Sequence, residues 1–198
     1  MNEGTIDPRA AEVLDFWFGR PGDAHHLQSR PEWFRKDEAF DALIAQRFGT
    51  LIDAGLRGEL APWADRPPSA LALIVLLDQF TRNTRRGTAG MFAGDALALA
   101  VARTLVRRSD DLRLAGVQRQ FVYLPFEHSE NLADQRESMR LFTRLGRDEP
   151  ALDGLVEWAR KHEVIIERFG RFPHRNAALG RESTAEEIEF LKQPGSGF

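Results

Sequence analysis

Three groups of polar side chains stand beside strongly apolar stretches, and their residue types are the ones that binding or catalysis would use. The first group follows an apolar run over residues 70–77 and comprises Asp78, Gln79, Arg82, Asn83 and Arg86. Side chains four residues apart share one face of a helix, so Asp78 lies beside Arg82, and Gln79 beside Asn83. A carboxylate and a guanidinium at the end of a buried helix must be paired, either with each other or with a ligand.

Two further polar groups lie in the second half of the chain. The second group comprises Glu127, His128, Glu130, Asp134 and Gln135. The third comprises His162, Glu167, Arg168, Arg171, His174, Arg175 and Asn176. Because polar groups in a core are costly unless other polar groups meet them, we expect the three groups to converge on one site. Specifically, we predict that Asp78 or Arg82 contacts a residue from 127–135 or from 171–176.

The arginines of these groups suit the recognition of an anion. Arg82, Arg171 and Arg175 could each bind a carboxylate or a phosphate through two parallel hydrogen bonds. The alternative is that they pair with acidic groups of the chain itself, which for these arginines would be Asp78, Glu130 and Asp134. In that case the three groups join the ends of helices, where main-chain groups also need partners.

Three histidines differ in what their surroundings predict. His128 lies among carboxylates beside a predicted helix start, and His174 lies in a dense polar turn, so both are candidates for acid–base catalysis. His162 falls on an apolar stripe between Ala159 and Ile166. We therefore predict that the His162 ring is buried and hydrogen-bonded, with a pKa lowered by desolvation unless a carboxylate opposes that effect.

Several classes of protein are excluded by composition or by missing motifs. The absence of cysteine excludes disulfides, thiolate zinc sites and cysteine nucleophiles. The phosphate-binding and dinucleotide-binding glycine motifs are absent, as are H-E-x-x-H and G-x-S-x-G. No spacing indicates a set of metal ligands, since H-x-E-x-x-x-D at residues 128–134 is a weak pattern, and we expect neither a metal nor another cofactor.

Charge and hydropathy restrict the location and the partners. The net charge of −3 argues against nucleic acid as a partner. The first ten residues, MNEGTIDPRA, show neither the basic nor the apolar region of a signal peptide. No apolar run approaches the ~18 residues of a transmembrane span. We therefore expect a cytoplasmic protein that binds no membrane.

The elements that position these groups are predicted to be helices throughout, because no stretch shows strand alternation or a hairpin dipeptide. Helix starts are indicated at Asp7-Pro8, at about Asp37 and at Pro67-Pro68, with Gly87 ending the third helix. Later helices are predicted over 89–108 and 117–124, where Pro125 ends or kinks the helix. The remaining predicted helices are one starting at Ser129, one over 152–169 and one capped by Ser183 with Glu186. Short connections between about eight helices predict an all-α fold of stacked antiparallel helices.

The length of 198 residues and a hydrophobic content of 42% predict a single helical domain over 1–198, with a frayed tail at 194–198. Four stretches are similar to the bacterial family known as domain of unknown function 924. They are VLDFWFG (13–19), LIVLLDQFTRNTRRGTAGMF (73–92), FVYLPFEHSENLADQ (121–135) and HEVIIERFGRFPHRNAALGRES (162–183).

This resemblance implies an all-helical superhelical array like that of tetratricopeptide repeats, and it implies no established activity. Thr81 stands where the family usually has proline. The positions that match the family's polar motifs are Asp78, Gln79, Arg82, Asn83, His128, Ser129, Glu130, Asp134, Gln135, His174, Arg175 and Asn176.

Three functions are compatible with these observations. The first is a helical binding protein whose inter-helix groove binds a small anionic ligand or a peptide segment through the Arg and His side chains. The second is a metal-independent enzyme that acts on a small polar substrate with His128 or His174 as the acid–base group. The third is a purely structural polar network. The first is our leading hypothesis.

Overall fold

Local capping signals begin the first two helices where the sequence predicts them. The computed structural model describes residues 6–197. Helix α1 spans Pro8–Phe18, and the Asp7 carboxylate accepts the Arg9 main-chain N–H at its start. Helix α2 spans Glu38–Leu56, and Asp37 accepts the N–H groups of Ala39 and Phe40. Each carboxylate also suits the positive end of the helix dipole.

The central helix is buried on all sides, as its continuous apolar run predicts. It consists of α3 (Pro67–Ile74), a π-helical segment (Val75–Phe80) and α4 (Thr81–Thr84). Every residue from 69 to 81 is buried. The π-helical segment was not predicted, since its short stretch of apolar residues followed by Asp78 and Gln79 carries no pattern that distinguishes it from an α-helix.

Five further helices complete the described part of the chain. They are α5 (Asp95–Arg107), α6 (Gly116–Glu127), α7 (Leu132–Asp148), α8 (Leu155–Phe169) and α9 (Ala185–Leu191). Short 3-10 helices occupy Pro31–Trp33, Ala61–Asp65, Ala89–Phe92, Asp110–Arg113, Pro150–Leu152 and Pro173–Arg175. With the continuous helix from 67 to 84 counted once, residues 6–197 form eight helices and no strand. The predicted all-α class is confirmed.

Two predicted helix starts are wrong by one or two residues, because a neighbouring side chain caps the helix instead. Helix α7 is capped by Asn131 rather than Ser129, whose hydroxyl instead donates to Asp134. The last helix is capped by Thr184, one residue after Ser183. Ser183 instead accepts a hydrogen bond from the Asn176 amide.

Two other boundaries differ for reasons of main-chain packing. Helix α5 begins at Asp95 and not near residue 89. Its N-cap, Gly94, lies directly against the Leu77 main chain. Helix α6 continues through Pro125 to Glu127, so the proline falls in its last turn. Pro125 lacks the N–H that would bond the Phe121 carbonyl, so the last turn of α6 has one hydrogen bond fewer.

The chain forms two compact units, one of residues 1–86 with 90–125 and the other of 87–89 with 126–198. Aromatic rings fill the core of the first unit, where Trp17 contacts Phe80 and Phe121 edge-on at centroid distances of 5.3 and 5.6 Å. The core of the second unit contains Ile165, Ile166 and Phe172. The predicted single domain and frayed tail remain predictions, and of that tail Phe198 lies outside the described residues.

Among the described residues, Ala89–Arg107 is the one stretch that is long and apolar enough to cross a membrane by length and composition. Its helical part, α5, packs against α3. Ala98, Ala102 and Leu105 of α5 are buried there. Core helices of soluble proteins can have the same length and composition, so this stretch alone does not indicate a membrane span.

Candidate functional site

The first polar group forms an ion-pair network within the first unit. The Arg82 guanidinium makes two hydrogen bonds to the Asp95 carboxylate, at 2.8 and 3.0 Å. It also lies 3.2 Å from Oδ1 of Asp78, which is fully buried. The sequence indicated Asp78 as the partner of Arg82, whereas Asp95 was missed because nothing local marks a residue thirteen positions away.

Asp41 of α2 binds two other members of the first group, Asn83 and Arg86. The Asn83 amide donates to Asp41 Oδ1 at 2.7 Å, and Arg86 donates to both carboxylate oxygens of Asp41. The Gln79 amide donates to Asp78 Oδ2 at 2.6 Å. These contacts join the end of the central helix to α2 and α5, and they account for its charges by pairing within the chain.

The second and third polar groups meet in the second unit. Glu130 accepts the Phe172 main-chain N–H at 2.8 Å and two hydrogen bonds from Arg181, at 2.7 and 2.9 Å. Arg171 makes two hydrogen bonds to the carboxylate of Glu187. Arg181 and Glu187 are absent from the predicted groups, because ordinary charged residues around a predicted short helix carry no signal of their partners.

Glu187 is a buried carboxylate with a strongly stabilised charge. The Arg171 guanidinium, the Thr184 main-chain N–H and the Asn176 amide all donate to it. The hydrogen bonds from Arg171 contribute most, and together these donors lower the Glu187 pKa to about 2 against the opposing effect of burial. The pairs Glu130–Arg181 and Glu187–Arg171 thus balance charge within the chain.

A second set of side chains in this unit surrounds the buried ring of Phe172. The Arg175 guanidinium carbon lies 4.5 Å from the Phe172 ring centroid. His162 meets this ring edge-on and His174 at a tilt, each with a centroid distance of 5.6 Å. The His128 ring lies 6.2 Å from that of His162, and its main-chain carbonyl accepts a hydrogen bond from Arg175. We call these five residues the histidine cluster.

The histidine cluster has a buried side and a side that reaches solvent. Phe172, Arg175 and His162 are buried, whereas His128 and His174 are half-buried. The local positive potential is evident at His162, whose pKa is lowered by burial first and then by the neighbouring His128, Arg175 and His174. His128 and His174 are therefore the members of the cluster that solvent reaches.

His162 is buried and hydrogen-bonded, as its position on the apolar stripe predicts. Its ring is 5% exposed, and Nδ1 lies 2.8 Å from the Trp158 carbonyl and 3.1 Å from Glu127 Oε1. Burial lowers the His162 pKa most, followed by the charges of His128, Arg175 and His174, and these effects bring it to about 3 against the opposing hydrogen bond to the Trp158 carbonyl. The ring is therefore neutral, with the Nδ1 proton donated to the Trp158 carbonyl.

Replacing His162 by asparagine is expected to flatten the pH dependence of stability. Below pH 6.5, His162 takes up a proton in the unfolded chain but stays neutral in the folded protein. The stabilisation that neutral His162 confers is therefore complete above pH 6.5 and falls as the pH falls toward 3. By pH 5 this loss amounts to about 2 kcal/mol. Asparagine keeps a donor near the Trp158 carbonyl and does not titrate.

The measurement is the free energy of unfolding by urea at pH 7 and pH 5, for the wild type and His162→Asn. The exposed loop residue His25 provides a matched control, since His25→Asn replaces a histidine without removing one from the core. Parallel wild-type and His162→Asn curves would show that His162 takes up a proton in the folded protein.

The other predicted residues of the second group stabilise the start of α7 and the end of α6. The Gln135 amide donates to the carbonyls of Glu127 and Ser129, at 2.7 and 2.6 Å. Asp134 accepts from the Ser129 hydroxyl at 2.7 Å. Among the described residues, no three His, Asp or Glu side chains are placed to hold a metal ion. A contact between Asp78 or Arg82 and residues 127–135 or 171–176 remains a prediction.

Comparison with known proteins finds one family and one solved structure that resemble this chain. The model of the family DUF924, bacterial proteins of unknown function, matches residues 13–195. A solved protein of unknown function from Agrobacterium tumefaciens is 42% identical, with a TM-score of 0.81, over 93% of this chain and 97% of that one. No curated protein matches the chain.

Proposed function

We propose that this protein, a member of the bacterial family of unknown function DUF924, binds a small anionic ligand at the histidine cluster. The observation that carries the proposal is the convergence of His128, His174 and Arg175 around one buried aromatic ring. Arginine and imidazolium groups donate charge-assisted hydrogen bonds to carboxylates and phosphates, which are stronger than neutral ones.

The balance of charges nearby favours an anion, although one carboxylate, Glu127, lies 3.1 Å from Nδ1 of His162. Of the other carboxylates, Glu130, before α7, accepts two hydrogen bonds from Arg181, and Glu187, in α9, accepts two from Arg171. Arg175 is pre-oriented by its contact with the Phe172 ring and by its hydrogen bond to the His128 carbonyl. A guanidinium held in this way loses little side-chain entropy when a ligand binds.

Inorganic phosphate is a suitable first probe, because it carries the charge and the acceptor oxygens of the proposed ligand class. We expect phosphate to shift the ring resonances of His128 and His174 in NMR spectra, with saturation. Replacing His174 by glutamine should weaken phosphate binding at least tenfold, about 1.4 kcal/mol, because one donor of the site is lost.

The matched control is His25→Gln, which removes an exposed histidine of the first unit. This variant should bind phosphate as tightly as the wild type. Phosphate that shifts no histidine resonance, or that binds His174→Gln with unchanged affinity, would contradict the proposal.

The proposal includes a cytoplasmic location and a small anion, not a nucleic acid or a membrane, as the partner. The absence of cysteine supports the location, and the net charge of −3 disfavours nucleic acid as the partner. Fractionation of bacterial cells expressing the full chain tests the location, and recovery in the membrane pellet would contradict it.

A further inference from the structure

The turn that carries His174 and Arg175 is held at both of its ends by one side chain, Arg181. The turn runs from Phe172 to Asn176 and contains the short 3-10 helix Pro173–Arg175. Arg181 Nη2 donates to the Phe172 carbonyl at 3.1 Å, and Arg181 Nε donates to Asn176 Oδ1 at 2.9 Å. The same guanidinium therefore bridges the first and the last residue of the turn.

Glu130 fixes the orientation of Arg181. Its carboxylate accepts hydrogen bonds from Nη1 and Nη2 of Arg181, at 2.7 and 2.9 Å, in a bidentate arrangement. Glu130 also accepts the Phe172 main-chain N–H, so the same carboxylate binds the turn directly. Burial by itself would raise the Glu130 pKa, but the hydrogen bonds from Arg181 and from the Phe172 N–H outweigh it and lower the pKa. The carboxylate thus remains ionised, as the bidentate pairing requires.

We infer that Arg181 is the positioning residue of the histidine cluster, anchored by Glu130, and that it sets the orientation of His174 and Arg175 toward a bound anion. This inference rests on the proposed function for its ligand. All three guanidinium nitrogens of Arg181 take part in these contacts. None of these four hydrogen bonds goes to a histidine ring of the cluster. Arg181 acts on the turn through the Phe172 carbonyl and the Asn176 side chain.

Lysine cannot reproduce this role, since an ammonium is a point charge that lacks the planar fork of a guanidinium. Arg181→Lys keeps the charge beside Glu130 and loses the simultaneous contacts with Phe172 and Asn176. The matched control is Arg168→Lys, which alters an arginine on α8 that pairs with the exposed Glu186.

The experiment compares wild type, Arg181→Lys and Arg168→Lys by phosphate titration, by the NMR ring resonances of His128 and His174 without phosphate, and by thermal unfolding. We expect Arg181→Lys to weaken phosphate binding at least tenfold and to shift both ring resonances and their titration midpoints. Arg168→Lys should match the wild type in all three measurements.

A purely structural role for Arg181 would lower the unfolding temperature and leave the ring resonances, their midpoints and the phosphate affinity unchanged, which would overturn the inference. If Arg181→Lys fails to fold, Glu130→Gln provides the second test, because it weakens the anchor and leaves Arg181 in place. If the wild type does not bind phosphate, the proposed function fails. Unshifted His174 resonances in Arg181→Lys would separately overturn the positioning role.

Discussion

Replacing Arg82 by methionine should lower the free energy of unfolding by about 3–5 kcal/mol, the usual effect of removing one partner from a buried ion pair. Arg82 lies against two carboxylates, one of which, Asp78, is fully buried. Methionine keeps most of the aliphatic volume and removes the positive charge. Asp78 and Asp95 then repel each other in a region with little water to screen them.

Arg85 provides the matched control, since it directly follows the same helix and pairs with the exposed Asp53. A surface ion pair contributes about 0–1 kcal/mol, so Arg85→Met should change stability little. Urea unfolding of both variants measures the difference. Equal losses for the two variants would show that the Arg82 network contributes no more than a surface pair.

The effect of Asp78→Ala should be smaller than that of Arg82→Met. After Asp78 is replaced, Arg82 keeps its two hydrogen bonds to Asp95 and is not left as an isolated buried charge. This ordering follows from Asp95, and the polar motif around residue 78 gives no hint of it. An Asp78→Ala loss larger than that of Arg82→Met would contradict the assignment of Arg82 as the shared partner.

Replacing Gly94 by alanine should destabilise the first unit by about 3 kcal/mol or more, because the added methyl group has no space. A Cβ at residue 94 would lie 2.1 Å from the Leu77 carbonyl oxygen and 2.8 Å from its carbon. These are main-chain atoms of the buried π-helical segment, so no side-chain rotation relieves the clash. The start of α5 would have to move away from the central helix.

Gly154→Ala is the control, because Gly154 also caps a helix, α8, and a Cβ there would meet no atom within 4 Å. Its φ of −60° is an ordinary right-handed conformation, so alanine should be neutral or slightly stabilising. Thermal and urea unfolding of both variants provide the measurement. Similar stabilities for Gly94→Ala and the wild type would contradict the close packing of α5 on the π-helical segment.

Local signals predicted most of the helices but misplaced several of their ends. Asp7 and Asp37 cap helices as predicted, since the caps depend on residues two or three positions away. Ser129 and Ser183 do not cap, since Asn131 and Thr184 occupy those positions, while Ser129 donates to Asp134 and Ser183 accepts from Asn176. A local pattern thus finds a helix start but does not choose between neighbouring side chains that could cap it.

The candidate site was predictable in its residue types and less so in its pairings. His162 could be assigned to the interior from its stripe alone, because burial on a helix follows the 3.6-residue period. Arg181 could not be found in this way, since its contacts with Glu130, Phe172 and Asn176 depend on how the turn at 172–176 packs against the connection before α7. The joining of the first polar group to the other two remains a prediction.

The sequence by itself determined the all-helical class, the buried central helix and the interior position of His162, because each follows from apolar periodicity and short-range hydrogen bonds. The tertiary structure decided which of many charged residues pair. Asp95 binds Arg82 thirteen positions away, and Arg181 binds Glu130 fifty-one positions away. With 27 basic and 30 acidic residues, composition allows many pairings of similar energy. Only the packing of helices brings particular ones within hydrogen-bonding distance.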